Sequence, residues 1–306
     1  MMPDIALIGC GNWGKNILRD LVRLGCRVHV ADPDPAARQR ALGLGAAAAY
    51  SDLTELPDVA GFVVAVPIPD LTPVTAALLP RGKPVFAEKT LCRSLADYHL
   101  LRSLPGSGQI FAMHKWHYHP GIERLRQIIA AGTLGELREL VTTRYAWVKD
   151  FHGGDVFWTQ AIHDLTIIKH LLGQIPQPIR ACHVIRDACG LPVSLRAILG
   201  TAPVVFLSVS GRHTSKISGV SAHGSCGSAE LADALDDHLL VTTDRGTSIV
   251  SIDTEYPLYL ELAEFLAYLG GGPRPRCDLE SAREMTEALL KLRKAAGIVL
   301  HRQESS

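Results

Sequence analysis

The feature that most limits this chain is the opening stretch "IALIGCGNWGKNILRDLVRLG", residues 5–25, with glycines at positions 9, 11 and 14. A short apolar run that ends in glycine reads as a buried parallel strand. The residues after it put Ile17, Leu18, Leu21 and Val22 on one helical face, and Gly25 is placed to close the helix. Glycines spaced G-x-G-x-x-G between a strand and a helix allow a tight turn, a close backbone approach and close helix–strand packing. Such a turn also points helix N-terminal amides at whatever lies above it, a setting that favours an anion.

The alternation continues. "RVHVAD" reads as a second strand and "PDPAARQRALGLG" as a helix with Pro at its start and Gly beyond its end. "GFVVAVP", "PVFAE" and "QIFAMH" are further strands, separated by the helical stretches "LTPVTAALLPRG" and "SLADYHLLRSL". Strand–helix repetition predicts a doubly wound parallel sheet covered on both faces, an α/β fold of the Rossmann type. Near residue 115 the rhythm changes. After the helices "PGIERLRQIIAAG" and "TQAIHDLTIIKHLLG" the chain is rich in strands, among them "PIRACHVIR", "VSLRAILG", "PVVFLSVSG", "HLLVTTD" and "TSIVSID", before two closing helices. This predicts a C-terminal α+β domain with a mostly antiparallel open sheet. The expected domains are 1–115 and 116–306, the second for substrate binding and subunit assembly.

The 306 residues, 47% hydrophobic and 20% charged with formal net charge +0, describe a globular chain with ample core. No basic excess points to nucleic acid, and no apolar run approaches the roughly 20 residues that span a bilayer. The 7 cysteines are scattered without a C-x-x-C, which fits reduced thiols. With a first strand expected at about residue 4, the reading leaves no room for a signal peptide. A cytoplasmic protein is expected.

In this context the glycines read as a dinucleotide site. Asp32 ends the second strand eighteen residues beyond Gly14, close to the position where an acidic side chain holds the adenosine ribose hydroxyls. A carboxylate there repels a 2′-phosphate, so NAD is expected over NADP. Gly9, Gly11, Asn12, Trp13, Gly14, Asp32, Pro67, Glu88 and Lys89 are the expected cofactor contacts. Were NADP bound as well as NAD, Arg38 in the next helix would be the side chain to suspect.

"FAEKTL" places Glu88 and Lys89 directly after a buried strand, at the carboxyl edge where ligands bind. It resembles the E-K-P motif of the glucose–fructose oxidoreductase/inositol dehydrogenase (Gfo/Idh/MocA) family. "MHKWHYHPGIERLRQIIAAGTLGELREL", "GGDVFWTQAIHDLTIIKHLLG" and the closing "PLYLELAEFLAYLGGGPRPRCDLESAREMTEALLKL" are similar to three further blocks of that family, in order. The resemblance implies NAD(P)-dependent hydride transfer between nicotinamide and a secondary alcohol or ketone of a sugar-derived substrate, free or nucleotide-linked. It also implies that Lys89 and His163 are the catalytic pair and that subunits pair through the second sheet as a homodimer or homotetramer. The chain departs from the family in several places. Thr90 stands for proline, Thr159 for an aspartate, Ala161 for a glycine, His117 for a common arginine and Leu71 for a usual histidine. The lysine–proline bond is typically cis in the family. A cis bond before threonine costs roughly 2.5–4 kcal/mol, so a trans turn with a displaced Lys89 is the expectation here.

Hydride transfer from an alcohol needs a base for the hydroxyl proton, and its reverse an acid. Lys89 can serve both if burial and a nearby positive charge lower its pKa. Thr159 and His163 are four apart, and His163 and His170 seven apart, so helical spacing puts all three on one face. Asp164 then points away, as a structural partner. Thr159 can hydrogen-bond a neutral hydroxyl but carries no charge. His117, His119, Trp158, Thr159 and His163 are the expected substrate contacts. The histidines of "HKWHYHP" lack the tighter ligand logic of a zinc site, so no metal is expected. Two other functions fit the same residues, namely reduction of a non-sugar carbonyl or imine, and a dinucleotide-binding sensor or subunit that has lost turnover.

Overall fold

The computed structural model describes residues 3–298 and falls into two units. In chain order the first unit has β1 (Asp4–Ile8), α1 (Gly14–Arg23), β2 (Arg27–Ala31), α2 (Pro35–Gly43), β3 (Ala48–Tyr50), β4 (Gly61–Val64), α3 (Ile68–Leu78), β5 (Val85–Ala87), α4 (Leu95–Ser103) and β6 (Ile110–Ala112). Its six strands lie in the order β3-β2-β1-β4-β5-β6, every pair parallel. The strand order reverses between β1 and β4, and ligands bind beyond the carboxyl ends of strands at such a point.

The second unit carries α5 (Pro120–Ala130), β7 (Leu137–Trp147), α6 (Ile162–Leu172), β8 (Ile179–Arg186), β9 (Pro192–Leu199), β10 (Val204–Ser210), β11 (Arg212–Gly224), β12 (Gly227–Leu231), β13 (His238–Thr243) and β14 (Gly246–Ser251). Its strands run β14-β13-β12-β11-β7-β10-β9-β8, antiparallel except for the parallel β7–β10 pair. Val205, Leu207 and Val209 of β10 turn to the buried face, while Phe206, Ser208 and Ser210 turn to the open one. The buried face is covered by α5 and α6. A buried ion pair ties α6 to β7, with Arg144 Nε donating to Asp164 Oδ2 at 2.6 Å. This is the structural partnership expected of Asp164.

Two helices close the chain, α7 (Pro257–Leu269) and α8 (Leu279–Ala295). Here the expected boundary needs correction. Everything past residue 115 was assigned to the second domain, yet Tyr256–Thr286 belongs with the first unit. The cause is apolar burial. One face of the parallel sheet (Ile5, Leu7, Val28, Val30, Val63, Phe86 and Phe111) is covered by Ile17, Leu18 and Leu21 of α1 and by Leu258, Leu262 and Phe265 of α7. Phe86 and Phe265 stack with ring centres 4.8 Å apart. The opposite face packs on α3, α4 and the start of α8 through Leu71, Leu78, Leu101, Leu279 and Ala282. Each fully buried side chain of this size contributes about 1.5–3 kcal/mol, so α7 is an integral layer of the first unit. Among the described residues no helix is long and apolar enough to cross a membrane.

Candidate active site

The glycine turn follows β1, and its three glycines differ in what fixes them. Gly9 has φ +87°, and a Cβ there would lie 2.7 Å from the Ala65 carbonyl oxygen. A Cβ on Gly14 would lie 2.2 Å from the Gly9 carbonyl oxygen. Both are demanded by the protein's own packing. Gly11 is different, because a Cβ there would meet nothing within 4 Å. The fold has no internal need for glycine at that position, and a side chain would project into the space above the turn. α1 begins at Gly14 with no side-chain cap on its N-terminus; the Lys15 and Asn16 amides donate to the Gly11 and Trp13 carbonyls at 3.2 and 2.8 Å, so it is the positive end of the helix dipole that favours an anion there. The residues fit a dinucleotide pyrophosphate. Asn12 and Trp13 are exposed on the same turn, and Pro67 is exposed at the head of α3.

Asp32, 8% exposed, directly follows β2. Its Oδ2 accepts from the Cys10 amide at 2.7 Å and its Oδ1 from the Asp34 amide at 2.9 Å. The carboxylate therefore holds the glycine turn to the end of β2, a role the sequence reading did not foresee, and each oxygen retains a lone pair. Arg38 Nη1 donates to the backbone carbonyls of Asp32 at 2.8 Å and Pro33 at 2.9 Å. This places a guanidinium beside the ribose-reading position.

Glu88 and Lys89 follow β5. The Trp13 indole N–H donates to Glu88 Oε1, and the Lys89 amide donates to Glu88 Oε2 at 3.1 Å. The Lys115 ammonium sits 4.6 Å from the centre of the Trp13 ring. Burial pushes the Glu88 carboxyl above its ordinary range, and Lys89, Trp13 and Lys115 pull it back. Glu261 of α7 lies near this group, 1% exposed, with the Lys115 charge and the His114 backbone set against the cost of its burial. Burial, and then repulsion from Glu88, drive its pKa well above the carboxylate range. Lys115 and Glu261 were missed from the sequence, since an acid on an otherwise amphipathic helix carries no local mark of what it packs against.

The Lys89–Thr90 peptide is cis, where a trans turn was expected. The segment after it is buried and clamped. Thr72 Oγ1 donates to the Leu91 carbonyl at 2.7 Å, and Thr286 Oγ1 donates to the Cys92 carbonyl at 2.7 Å. Lys89 itself is half-buried.

In the second unit the 115–118 turn and α6 bring histidines together. Trp116 meets His163 edge-on, ring centres 6.3 Å apart, and His117 meets His170 at 4.8 Å. His163 and His170 thus share a helix face, as their spacing predicts. Arg144 lies over the Trp116 ring at 4.2 Å. His117 Nδ1 is 3.0 Å from His170 Nδ1, and His170 Nε2 is 2.9 Å from Glu123 Oε2. Hydrogen bonds from Arg126, and then from His170, hold Glu123 down at about 2 against the cost of partial burial. Among the described residues no group of three or more His, Cys, Asp or Glu side chains could hold a metal ion.

Three expected substrate contacts have other duties. His119 is 5% exposed and caps α5, its Nδ1 accepting from the Gly121 amide at 3.1 Å and its Nε2 donating to the Ala234 carbonyl at 2.9 Å. With both ring nitrogens bonded to backbone, it is a structural histidine and not a substrate contact. Trp158 is 1% exposed, with Arg293 5.4 Å from its ring centre, so it is core and not a sugar platform. Thr159 is also buried, and its hydroxyl donates to the Asp155 carbonyl at 2.8 Å. That back-bond to residue i−4 uses the hydroxyl proton. Phe157–Ala161 forms a π-helical turn ahead of α6, so one uniform α-helical wheel does not describe Thr159 and His163.

A doubly wound parallel sheet followed by an open, mostly antiparallel sheet with helices on one face defines a two-unit fold of the α/β and α+β classes. Residues 4–90 match the family described as "NADP oxidoreductase coenzyme F420-dependent". The chain is 32% identical over 195 residues to an inositol 2-dehydrogenase of Ralstonia nicotianae, a match spanning 56% of this chain and 55% of that protein. The chain therefore spans about half the length of that curated relative. Among solved structures, a UDP-N-acetylglucosamine 3-dehydrogenase from Acidithiobacillus ferrooxidans superposes with a TM-score of 0.85 at 20% identity, covering 97% of this chain and 99% of that one. An oxidoreductase from Agrobacterium radiobacter, crystallised with NAD+, L-tartaric acid and magnesium, gives 0.84 at 14% identity and covers 97% of each chain. The chain is thus similar to an inositol 2-dehydrogenase over about half its length, and it shares its fold with these two solved oxidoreductases.

Proposed function

We propose that the protein is an NAD-dependent oxidoreductase that moves hydride between nicotinamide and a secondary alcohol or ketone of a sugar-derived substrate. The observation that carries this reading is Gly11, which opens onto free space between two glycines that the fold itself requires. Asp32 supports NAD over NADP, because the carboxylate that ties the turn also faces a ribose with negative charge. Bound at the turn, the dinucleotide supplies the hydride acceptor or donor. Lys89 takes the hydroxyl proton in oxidation and returns it in reduction, and its charged form stabilises a developing alkoxide. His163 orients the reacting hydroxyl, and His117 accepts a hydrogen bond from a second one. The sugar character of the substrate is supported by the inositol and nucleotide-sugar dehydrogenases among the chain's likenesses. The half-exposed face of the second sheet carries Phe206 at 37% exposure, which supports pairing of subunits there.

Calorimetric titration with NADH and NADPH, for wild type and Gly11→Ala, tests the cofactor reading. Wild type binds NADH more tightly, and Gly11→Ala keeps its melting temperature while losing at least tenfold in NADH affinity. Equal affinity of wild type and Gly11→Ala would refute the site. Turnover is then sought with NAD and a panel of cyclitols, sugars and nucleotide sugars. A binding protein without turnover on any of them, or on matching ketones and imines with NADH, would overturn the activity.

A further inference from the structure

Trp13 stands at the N-cap of α1, on the glycine turn that follows β1. Its indole joins that turn to the exits of two other strands of the first unit. The N–H at the ring edge donates to Glu88 Oε1, just beyond β5, and the Lys115 ammonium, beyond β6, lies 4.6 Å from the ring centre. The other oxygen of the same carboxyl group, Glu88 Oε2, accepts from the Lys89 amide at 3.1 Å. One carboxyl group thus has the glycine turn on one oxygen and the backbone of Lys89 on the other. Glu88 is 8% exposed, and its own amide donates to the Val64 carbonyl of β4 at 2.8 Å. A buried carboxyl group with both oxygens engaged keeps one orientation, because giving up either donor leaves a desolvated acceptor without its partner.

We infer that Trp13 is a positioning residue: an anion seated on the glycine turn sets, through the indole and the Glu88 carboxyl group, where the backbone of Lys89 lies. The inference rests on the proposed seat of a dinucleotide pyrophosphate at that turn. Such an anion is drawn to the N-terminus of α1 by the helix dipole, and the residue at that terminus is the one that carries the indole. A displacement of the turn carries the ring with it. The hydrogen bond, which weakens steeply when stretched or bent, passes the displacement to Glu88 rather than absorbing it. Linkage makes the effect reciprocal, so a change at Glu88 alters the affinity of the turn for its anion. In the proposed reaction, Lys89 then takes its working place only with dinucleotide bound. Phenylalanine at position 13 keeps an aromatic face for Lys115 and loses the N–H that reaches Glu88.

The test uses ADP, which carries the adenosine and the pyrophosphate but no nicotinamide, and the full chain labelled with ¹⁵N-lysine. The Lys89 amide is assigned by loss of its ¹H–¹⁵N signal in Lys89→Arg. Saturating ADP should shift the Lys89 amide of the wild type. In Trp13→Phe, with ADP bound as judged by calorimetry, the same signal should stay where it lies without ligand. Should Trp13→Phe bind ADP too weakly to saturate, Glu88→Gln takes its place with the same expected outcome. Each single change should weaken ADP binding by about two- to tenfold, the scale of one hydrogen bond. The double variant should lose no more than the weaker single one, since both remove the same link. A wild-type Lys89 amide unmoved by ADP, an equal shift in Trp13→Phe, or fully additive losses would overturn the inference. A wild type that binds no ADP removes the proposed cofactor site and this inference with it, whereas ADP that binds without moving Lys89 removes this inference alone. No arm needs turnover, so failure of the dehydrogenase reading shows itself separately.

Discussion

Glu261→Gln isolates one buried charge. In the native protein Glu261 is 1% exposed, repulsion from Glu88 adds to the cost of burial, and the Lys115 charge and a His114 backbone hydrogen bond offset that cost only in part. Glu88 has the Trp13 indole and the Lys89 amide as donors, so of the two acids Glu261 is the one that takes the proton. Its native pKa lies above the unfolded value of about 4.3, and the folded state therefore binds more protons across the interval between them. Linkage then makes stability fall as pH rises from about 4.3 through the native pKa. Glutamine has the shape of the protonated acid and cannot ionise. The variant should equal wild type near pH 4 and exceed it at pH 8, where wild type carries a buried group only partly compensated, at a cost of about 1–3 kcal/mol. At roughly 2–4 °C per kcal/mol, that is a melting temperature a few degrees higher at pH 8. Scanning calorimetry at pH 4.5, 6 and 8 reads the difference. A variant less stable than wild type at pH 8, or parallel pH profiles for the two proteins, would show that Glu261 is ionised and paired, and the reasoning would fail.

Lys89→Ala should lower turnover by roughly 10²–10⁴-fold, the usual worth of a positioned proton carrier, with NADH affinity by calorimetry little changed; turnover near wild type sinks its catalytic role. Gly14→Ala should unfold the turn, because its Cβ would lie 2.2 Å from the Gly9 carbonyl oxygen, and a normal melting curve with normal NADH binding would contradict that geometry. Asp164→Ala leaves the Arg144 guanidinium buried without its carboxylate, which costs about 3–5 kcal/mol and should appear in urea unfolding as a lower midpoint. Sedimentation at micromolar concentration should show a dimer or tetramer, and a monomer rejects pairing through the second sheet.

Much of the first unit is legible because its strands are continuous apolar runs and its helices carry their own punctuation. Ser94, for instance, caps α4 with Asp97 reciprocating. What escapes is structure held by backbone pairing alone. β3 is the three-residue "AAY" at the sheet edge, and its alanines carry no strand signal. β11, "RHTSKISGVSAHG", is rich in serine, glycine and histidine and reads as a loop, yet it is hydrogen-bonded on both sides between β7 and β12. Its Gly219 is needed because a Cβ would lie 2.7 Å from the Ala232 carbonyl oxygen. The return of α7 to the first unit was hidden for another reason: its amphipathic face shows that it packs, but not on which sheet. At the site, spacing gave the glycine turn, Asp32 and the shared face of His163 and His170. It could not show that the second nitrogen of His119 is taken by Ala234 or that Trp158 packs on Arg293, since both depend on contacts far along the chain.

The departures from the family pattern make sense when the polar groups are followed to their partners. Thr159 replaces an acid, and its hydroxyl proton is bound to its own helix at Asp155. A threonine so bonded offers a substrate only lone pairs, and no charge. The carboxylate nearest in role is on another helix: Glu123 reaches His170, and His170 reaches His117. Thr159 itself presents no charge, while the Glu123 carboxylate is engaged by Arg126 and His170. A direct carboxylate can accept from a hydroxyl or pair with a cation. A neutral imidazole donates at one ring nitrogen and accepts at the other, each along a direction fixed by its ring plane. His117 stands where arginine is common in the family that the sequence resembles, and the carboxylate it reaches through His170 already has its guanidinium, since Arg126 donates to both Glu123 oxygens at 3.0 and 2.7 Å.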